Sequence, residues 1–346
     1  MVSRRELLIA ALTGALATRS RLTAAQGRRC LPLISGPLYW YDAAESVRMG
    51  TEGWREELHS QRRIGFSLLW LCGTAAALDS PERLAALRAL MDLCARRKTR
   101  VILDTGSTGM WYAKLDLERE LEVCGANVRR IGEEFAGHPA FFAWYVPQEI
   151  YMCWNEWADY IDALYSGLVE RCKKAADLPV TVSPFFILDR DKVFGDFRYN
   201  EPEEYERYWA RLIARSGFDI VMLQDSGEHF SYVTNDMRRP FFEAMSRACR
   251  TGGASLWGNV ETAEYVCPSK EEYVRLYGKV HHSTAKGLPW RPAPIDRLKE
   301  KLDLAAEYSE DIVTWGYREF CRPVLGEVAR AWYRDYLDYY RCLRAV

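Results

Sequence analysis

Eight short apolar runs recur along this chain and constrain its fold more than any other feature. They begin near residues 31 (LPLISGPLYWYD), 65 (GFSLLWLCG), 100 (RVILDTGS), 141 (FFAWYVPQE), 179 (PVTVSPFFI), 219 (DIVMLQDSG), 254 (ASLWGNVE) and 311 (DIVTWGYRE). Stretches with helical periodicity separate them, among them SPERLAALRALMDLCARRK and WADYIDALYSGLVERCKKAA. Helix punctuation agrees: Ser80 and Pro81 form a cap with a first-turn proline, and Gly252 and Gly253 end a helix. The runs are continuous rather than alternating, as strands covered on both faces must be. Successive starts lie roughly 34 to 41 residues apart, with a last interval of about 57. That spacing predicts a single-domain (β/α)8 barrel. The rival, an open doubly wound sheet, lacks its signals: no Gly-x-Gly-x-x-Gly follows the first run, and no phosphate-binding loop motif occurs.

The N-terminus stands outside this pattern. Arg4 and Arg5, an apolar stretch from Leu7 to Ala17, and small residues at Thr23 to Ala25 read as a twin-arginine export signal over residues 1–25. The apolar stretch is too short to span a bilayer, which takes about 20 residues. A plain N-terminal helix is the alternative. The expectation is therefore a removed signal, a barrel over residues 26–346, a periplasmic or extracellular location and no membrane insertion of the mature form.

Composition narrows the function. A formal net charge of −1 with 27% charged residues, and no basic block interleaved with aromatics, argues against nucleic acid as a partner. The ten cysteines stand singly with no Cys-x-x-Cys, and the five histidines (His59, His138, His229, His281, His282) do not gather at strand ends. No metal site, no cofactor and no obligate protein partner is expected. The His281–His282 pair reads as a surface or partner-facing feature. A catalytic serine elbow is absent; TGSTG at 105–109 has the wrong spacing.

In a barrel of this class the working face lies at the C-terminal ends of the strands. The residues there are Trp40, Tyr41, Asp42, Trp70, Asp104, Trp144, Gln148, Glu149, Gln224, Asp225, Trp257, Asn259, Glu261, Trp315, Tyr317 and Arg318. Glu149 and Glu261 end the fourth and seventh runs, facing one another across the mouth. Glycosidic hydrolysis needs two such carboxyls, one to protonate the leaving oxygen and one to attack or stabilise the anomeric carbon. Asp225 is an alternative second carboxylate, or a group that orients a substrate hydroxyl. Trp40, Trp70, Trp144 and Trp257 are candidates either for sugar stacking or for barrel filling. Asp104 and Tyr41 read as supporting groups near the substrate.

The glutamates after the fourth and seventh runs resemble those of clan-A retaining glycoside hydrolases. The stretches FFAWYVPQE, DIVMLQDSGE and WGNVE are similar to a bacterial family of glycoside-hydrolase-like barrels grouped as a domain of unknown function, over roughly residues 31–325. The resemblance implies Glu149 as acid/base, Glu261 as nucleophile and Trp315 as the sugar platform. Clan-A enzymes carry Asn before the first glutamate, where it bonds the sugar 2-hydroxyl. Here that residue is Gln148: either the longer amide does the same task, or the kinship to active enzymes is a looser one. The substrate-binding expectation therefore comprises Trp40, Tyr41, Asp104, Gln148, Gln224, Asp225, Asn259, Trp315 and Tyr317, with a carbohydrate as partner. The competing function is a carbohydrate-binding barrel without catalysis.

Overall fold

The structure is a computed structural model that describes residues 30–345. The proposed export signal lies outside the described residues. Eight parallel strands close into one barrel in the order β1 (Gly36–Trp40), β10 (Asp311–Thr314), β7 (Ser255–Asn259), β6 (Ile220–Gln224), β5 (Val180–Val182), β4 (Phe141–Val146), β3 (Arg100–Asp104) and β2 (Leu68–Cys72). Two further short strands, β8 (Ala263–Tyr265) and β9 (Trp290–Pro292), form an antiparallel hairpin outside the ring. Around the barrel run α1 (Ala43–Arg63), α2 (Pro81–Arg97), the single turn α3 (Trp111–Lys114), α4 (Leu117–Phe135), α5 (Glu156–Ala175), α6 (Pro202–Ser216), α7 (Asn235–Gly252), α9 (Ile295–Tyr308) and α10 (Glu327–Arg344), while α8 (Lys270–Tyr277) belongs to the hairpin excursion. The expected barrel is the observed one.

Local chemistry sets the helix ends. Ser80 accepts from the Arg83 N–H at 3.3 Å with Pro81 in the first turn, and α7 stops where Gly253 takes a left-handed φ of 88°. Both were legible in the sequence.

Strand alternation divides the side chains into two cores. Leu38, Leu68, Trp70, Ile102, Ala143, Tyr145, Ile220, Met222, Trp257 and Val313 fill the barrel interior. The intervening residues, such as Leu69, Leu71, Leu103, Trp144 and Val221, pack outward against the helices. Trp70 and Trp257 are thus barrel filling, whereas Trp144 belongs to the outer layer; Trp70 meets Tyr145 edge to face at 4.7 Å, and Trp257 stacks on Phe142 at 5.9 Å. All ten cysteines are unpaired, and most are buried in these layers.

The long last interval of the sequence has a structural cause. After β7 the chain leaves the barrel, makes the β8–β9 hairpin and α8, and builds a third small core over the mouth from Val193, Phe194, Phe230, Val233, Tyr265, Cys267, Tyr273 and Leu288. Glu264, buried, locks the hairpin to α9 by accepting from Arg291 (2.7 Å) and Arg297 (2.6 Å). Among the described residues no helix is long and apolar enough to cross a membrane.

Candidate active site

Glu149 is built from the top of β4. Tyr145 points into the barrel on the same alternation as Ala143, and after Val146 the chain turns at Pro147 with a 3.0 Å bond from the Glu149 N–H to the Pro147 carbonyl. This brings the half-buried Glu149 carboxyl back over the interior. The Tyr145 hydroxyl donates to Oε1, and Gln224 Nε2, at the end of β6, donates to Oε2 at 2.8 Å and to the Ser183 carbonyl at 3.0 Å. Burial pushes the Glu149 carboxyl up to about 7; the Tyr145 and Gln224 bonds oppose that rise, and the charge of Glu261 adds to it. The charge of Glu261 therefore reaches Glu149 across the mouth.

Glu261 follows β7 and is almost wholly buried. Its Oε2 is ion-paired with His229 Nδ1, and its backbone carbonyl accepts from Lys301 Nζ at 2.6 Å. His229 is itself pinned, its carbonyl accepting from the Tyr265 N–H at 2.6 Å. Burial raises the Glu261 carboxyl while His229 pulls it down; Asp225 raises it and Lys301 lowers it, with a net upward direction. For His229, burial disfavours the cation and Glu261 favours it, and the net direction is upward. His229 and Glu261 thus face each other as a buried pair, each favouring the charged form of the other against the burial that opposes it.

The remaining expected residues divide sharply. Gln224 belongs to the site. Trp315 does too: it is half-buried beside His229 (5.8 Å between rings) and Trp290 (5.4 Å), and it is held where Gly316 takes a φ of 94° that L side chains rarely adopt. Asn259 points into the barrel beneath the carboxyls, donating to Ser183 Oγ at 3.1 Å, with its own Oδ1 buried and unpartnered. Trp40 is 48% exposed at the β1 rim beside a hollow lined by Tyr41, Asp42, Glu45 and Arg318.

Others are engaged elsewhere. Gln148 is turned away from the mouth: it is fully buried and donates to Glu120 on α4 at 2.6 Å and to the Gly106 carbonyl at 3.3 Å. Asp104 is consumed by the chain, accepting from the Thr74 N–H at 2.8 Å and the Gly106 N–H at 3.1 Å. Tyr317 is core, packed on Phe66 at 5.2 Å, and Tyr41 is buried beside α1. Asp225 is buried and turned to its own cations: its Oδ2 is paired with Lys301 at 2.7 Å, and its carbonyl accepts from Arg238 at 2.9 Å.

The histidine pair is the converse case. His281 and His282 do not sit on an outer surface. The excursion after β7 folds them back so that His282 lies 6.0 Å from His229 between ring centroids, and both line a cleft of about 210 Å³. The same cleft is lined by Glu149, Gln224, Glu228, His229, Phe185, Ile187, Phe194 and Phe197. Burial drives His282 down to about 3, so it is neutral there. Sequence reasoning also passed over Lys301, whose signal was a lysine within the buried stripe Leu298, Leu302, Ala305 of α9.

Solved structures share this barrel. One from Bacteroides thetaiotaomicron, described as a candidate alpha-L-fucosidase, superposes with a TM-score of 0.66 at 18% identity over 89% of this chain and 95% of its own. An endo-beta-1,4-mannanase from Thermotoga petrophila gives 0.54 at 11% identity, covering 91% of this chain and 77% of its own. A family 99 endo-alpha-mannosidase from Bacteroides thetaiotaomicron gives 0.52 at 10% identity, covering 91% and 98%. At such identities the likeness establishes the fold. No curated protein matches the chain. A family does match, over residues 34–325 and so over the whole barrel, and the chain belongs to it: the domain of unknown function DUF4434.

Proposed function

We propose that this protein is a glycoside hydrolase acting on an oligosaccharide or polysaccharide by double displacement, with Glu149 as acid/base and Glu261 as nucleophile. One observation carries the reading: two carboxyls just past the ends of β4 and β7 meet different partners, Glu149 the neutral donors Tyr145 and Gln224 and Glu261 the imidazole of His229. In the first step Glu149, protonated near neutrality, gives its proton to the leaving oxygen as Glu261 attacks the anomeric carbon. Water then attacks the glycosyl-enzyme, and Glu149 takes back a proton. His229, paired with Glu261, lowers its carboxyl against the rise that burial imposes and so favours the anion that attacks. Trp315 supplies a flat face for the sugar ring. The sugar-cleaving activities named in the descriptions of the similar barrels support the reaction class.

A panel of bacterial and plant glycans incubated with the purified barrel tests this. Glu149→Gln and Glu261→Gln are each expected to cut turnover by about 10² to 10⁴ while far-UV circular dichroism stays unchanged. Full activity in either variant would end the assignment. Sugar binding without turnover is the rival reading, and Gln148, turned from the mouth, favours it. It predicts glycan affinity that both variants retain with no product from the wild type. The export signal over residues 1–25 belongs to the same proposal, and fractionation of expressing cells tests it.

A further inference from the structure

The cleft beside Glu149 has a chemical character of its own. It runs from the acid/base candidate under the loops after β5 and β6, and Glu261 is not among its lining residues. A double-displacement site has two sides: the sugar that becomes bonded to the nucleophile, and the group that departs with the acid's proton. A space that touches Glu149 and not Glu261 is on the departing side.

Its walls are Phe185, Ile187, Phe194 and Phe197, with imidazoles from His229, His281 and His282, and no lysine or arginine lines it. Phe197 and Phe185 are half-buried, with Phe197 5.3 Å from His281 and Phe185 5.6 Å from Tyr151 between ring centroids. Phe185 can lie against the chain because position 227 is glycine: a Cβ there would meet the Phe185 ring at 2.7 Å. The wall is fixed from behind, since Glu228 accepts from the Leu188 N–H at 2.9 Å and Asp189 from the Phe194 N–H at 2.7 Å. At about 210 Å³ it is smaller than the roughly 300 to 1,000 Å³ of drug-sized sites, so it admits one ring and little more. Two carboxyls and no resident Lys or Arg disfavour an anionic group, and the aromatic faces favour an apolar ring.

We infer that this cleft is the leaving-group subsite and that it takes an uncharged alcohol carrying an aromatic ring, seated between Phe185 and Phe197. The inference rests on the glycosidase reading above and deepens it. The test compares benzyl and ethyl glycosides of whichever sugar the wild type cleaves, since both release alcohols of similar acidity. The benzyl compound should be preferred in kcat/KM by about tenfold or more, and Phe197→Ala should shrink that ratio to within about threefold, with Phe185→Leu as the second variant. An unaltered ratio in both variants, no initial preference, or a larger preference for a disaccharide whose leaving sugar fills the same space would overturn the inference while leaving the glycosidase reading intact. A separate readout needs no turnover: saturation-transfer NMR with benzyl alcohol should show contact in the wild type and loss of it in Phe197→Ala. If no glycoside is cleaved but that contact behaves as expected, the glycosidase reading fails and the aromatic-ring site stands. If the contact is absent, the site fails.

Discussion

Glu149 and Glu261 share one mouth, yet their surroundings have little in common. Glu149 meets neutral donors, the Tyr145 hydroxyl and the Gln224 amide, which satisfy its oxygens without supplying charge. Glu261 meets the imidazole of His229, with Lys301 and Asp225 behind it. Burial acts upward on both, but only Glu261 has an imidazole in direct contact to offset it. The contrast shows how one barrel separates two chemically identical side chains: neutral hydrogen bonds leave Glu149 raised to about 7, while at Glu261 the paired imidazole pulls down against burial.

The contrast can be attacked at three points. The largest effect is expected from Lys301→Met, which leaves Asp225 buried with Arg238 as its remaining cation. The loss should be about 3 to 5 kcal/mol in denaturant unfolding, whereas Arg55→Met, which breaks the exposed Arg55–Glu52 pair, should cost about 0 to 1 kcal/mol. Equal costs would mean that Lys301 is not the anchor its burial suggests. A smaller effect is expected from His229→Gln. Because His229 lowers both carboxyls, its removal raises both, and both limbs of the kcat/KM profile should move to higher pH. The acidic limb, set by Glu261 in direct contact with His229, should move further than the alkaline one. A fixed acidic limb would uncouple His229 from the nucleophile. Tyr145→Phe should do less and act on one side. The lost bond favoured ionised Glu149, so the alkaline limb alone should rise by about half a unit to one unit, the equivalent of a hydrogen bond worth about 0.5 to 1.5 kcal/mol.

The barrel was legible because strands buried on both faces must be continuously apolar, and eight such runs at near-constant spacing admit few other folds. Glu149 and Glu261 were legible for the same reason, as the first carboxylates past strand ends. Gln148 was misread because its task was carried over from the Asn that precedes the first glutamate in clan-A enzymes, while here its amide goes to Glu120 and the Gly106 carbonyl. β4 stops at Val146, and past Pro147 the direction of a side chain no longer follows from its parity. Tyr317 lies past its strand too, falling in the helical turn Tyr317–Cys321 after β10. His281 and His282 lie far along the chain from any barrel strand, and only the hairpin between β7 and β10 returns them to the cleft. The long final interval announced an excursion but not its destination.

The most direct measurement of the central claim is mass spectrometry of the enzyme after exposure to a 2-deoxy-2-fluoro glycosyl fluoride of a cleaved sugar, which slows breakdown of a glycosyl-enzyme. The account predicts one added fluorosugar, mapped to the peptide containing Glu261 and absent in Glu261→Gln. A label on any other residue, or hydrolysis that inverts the anomeric centre with no adduct, would contradict it.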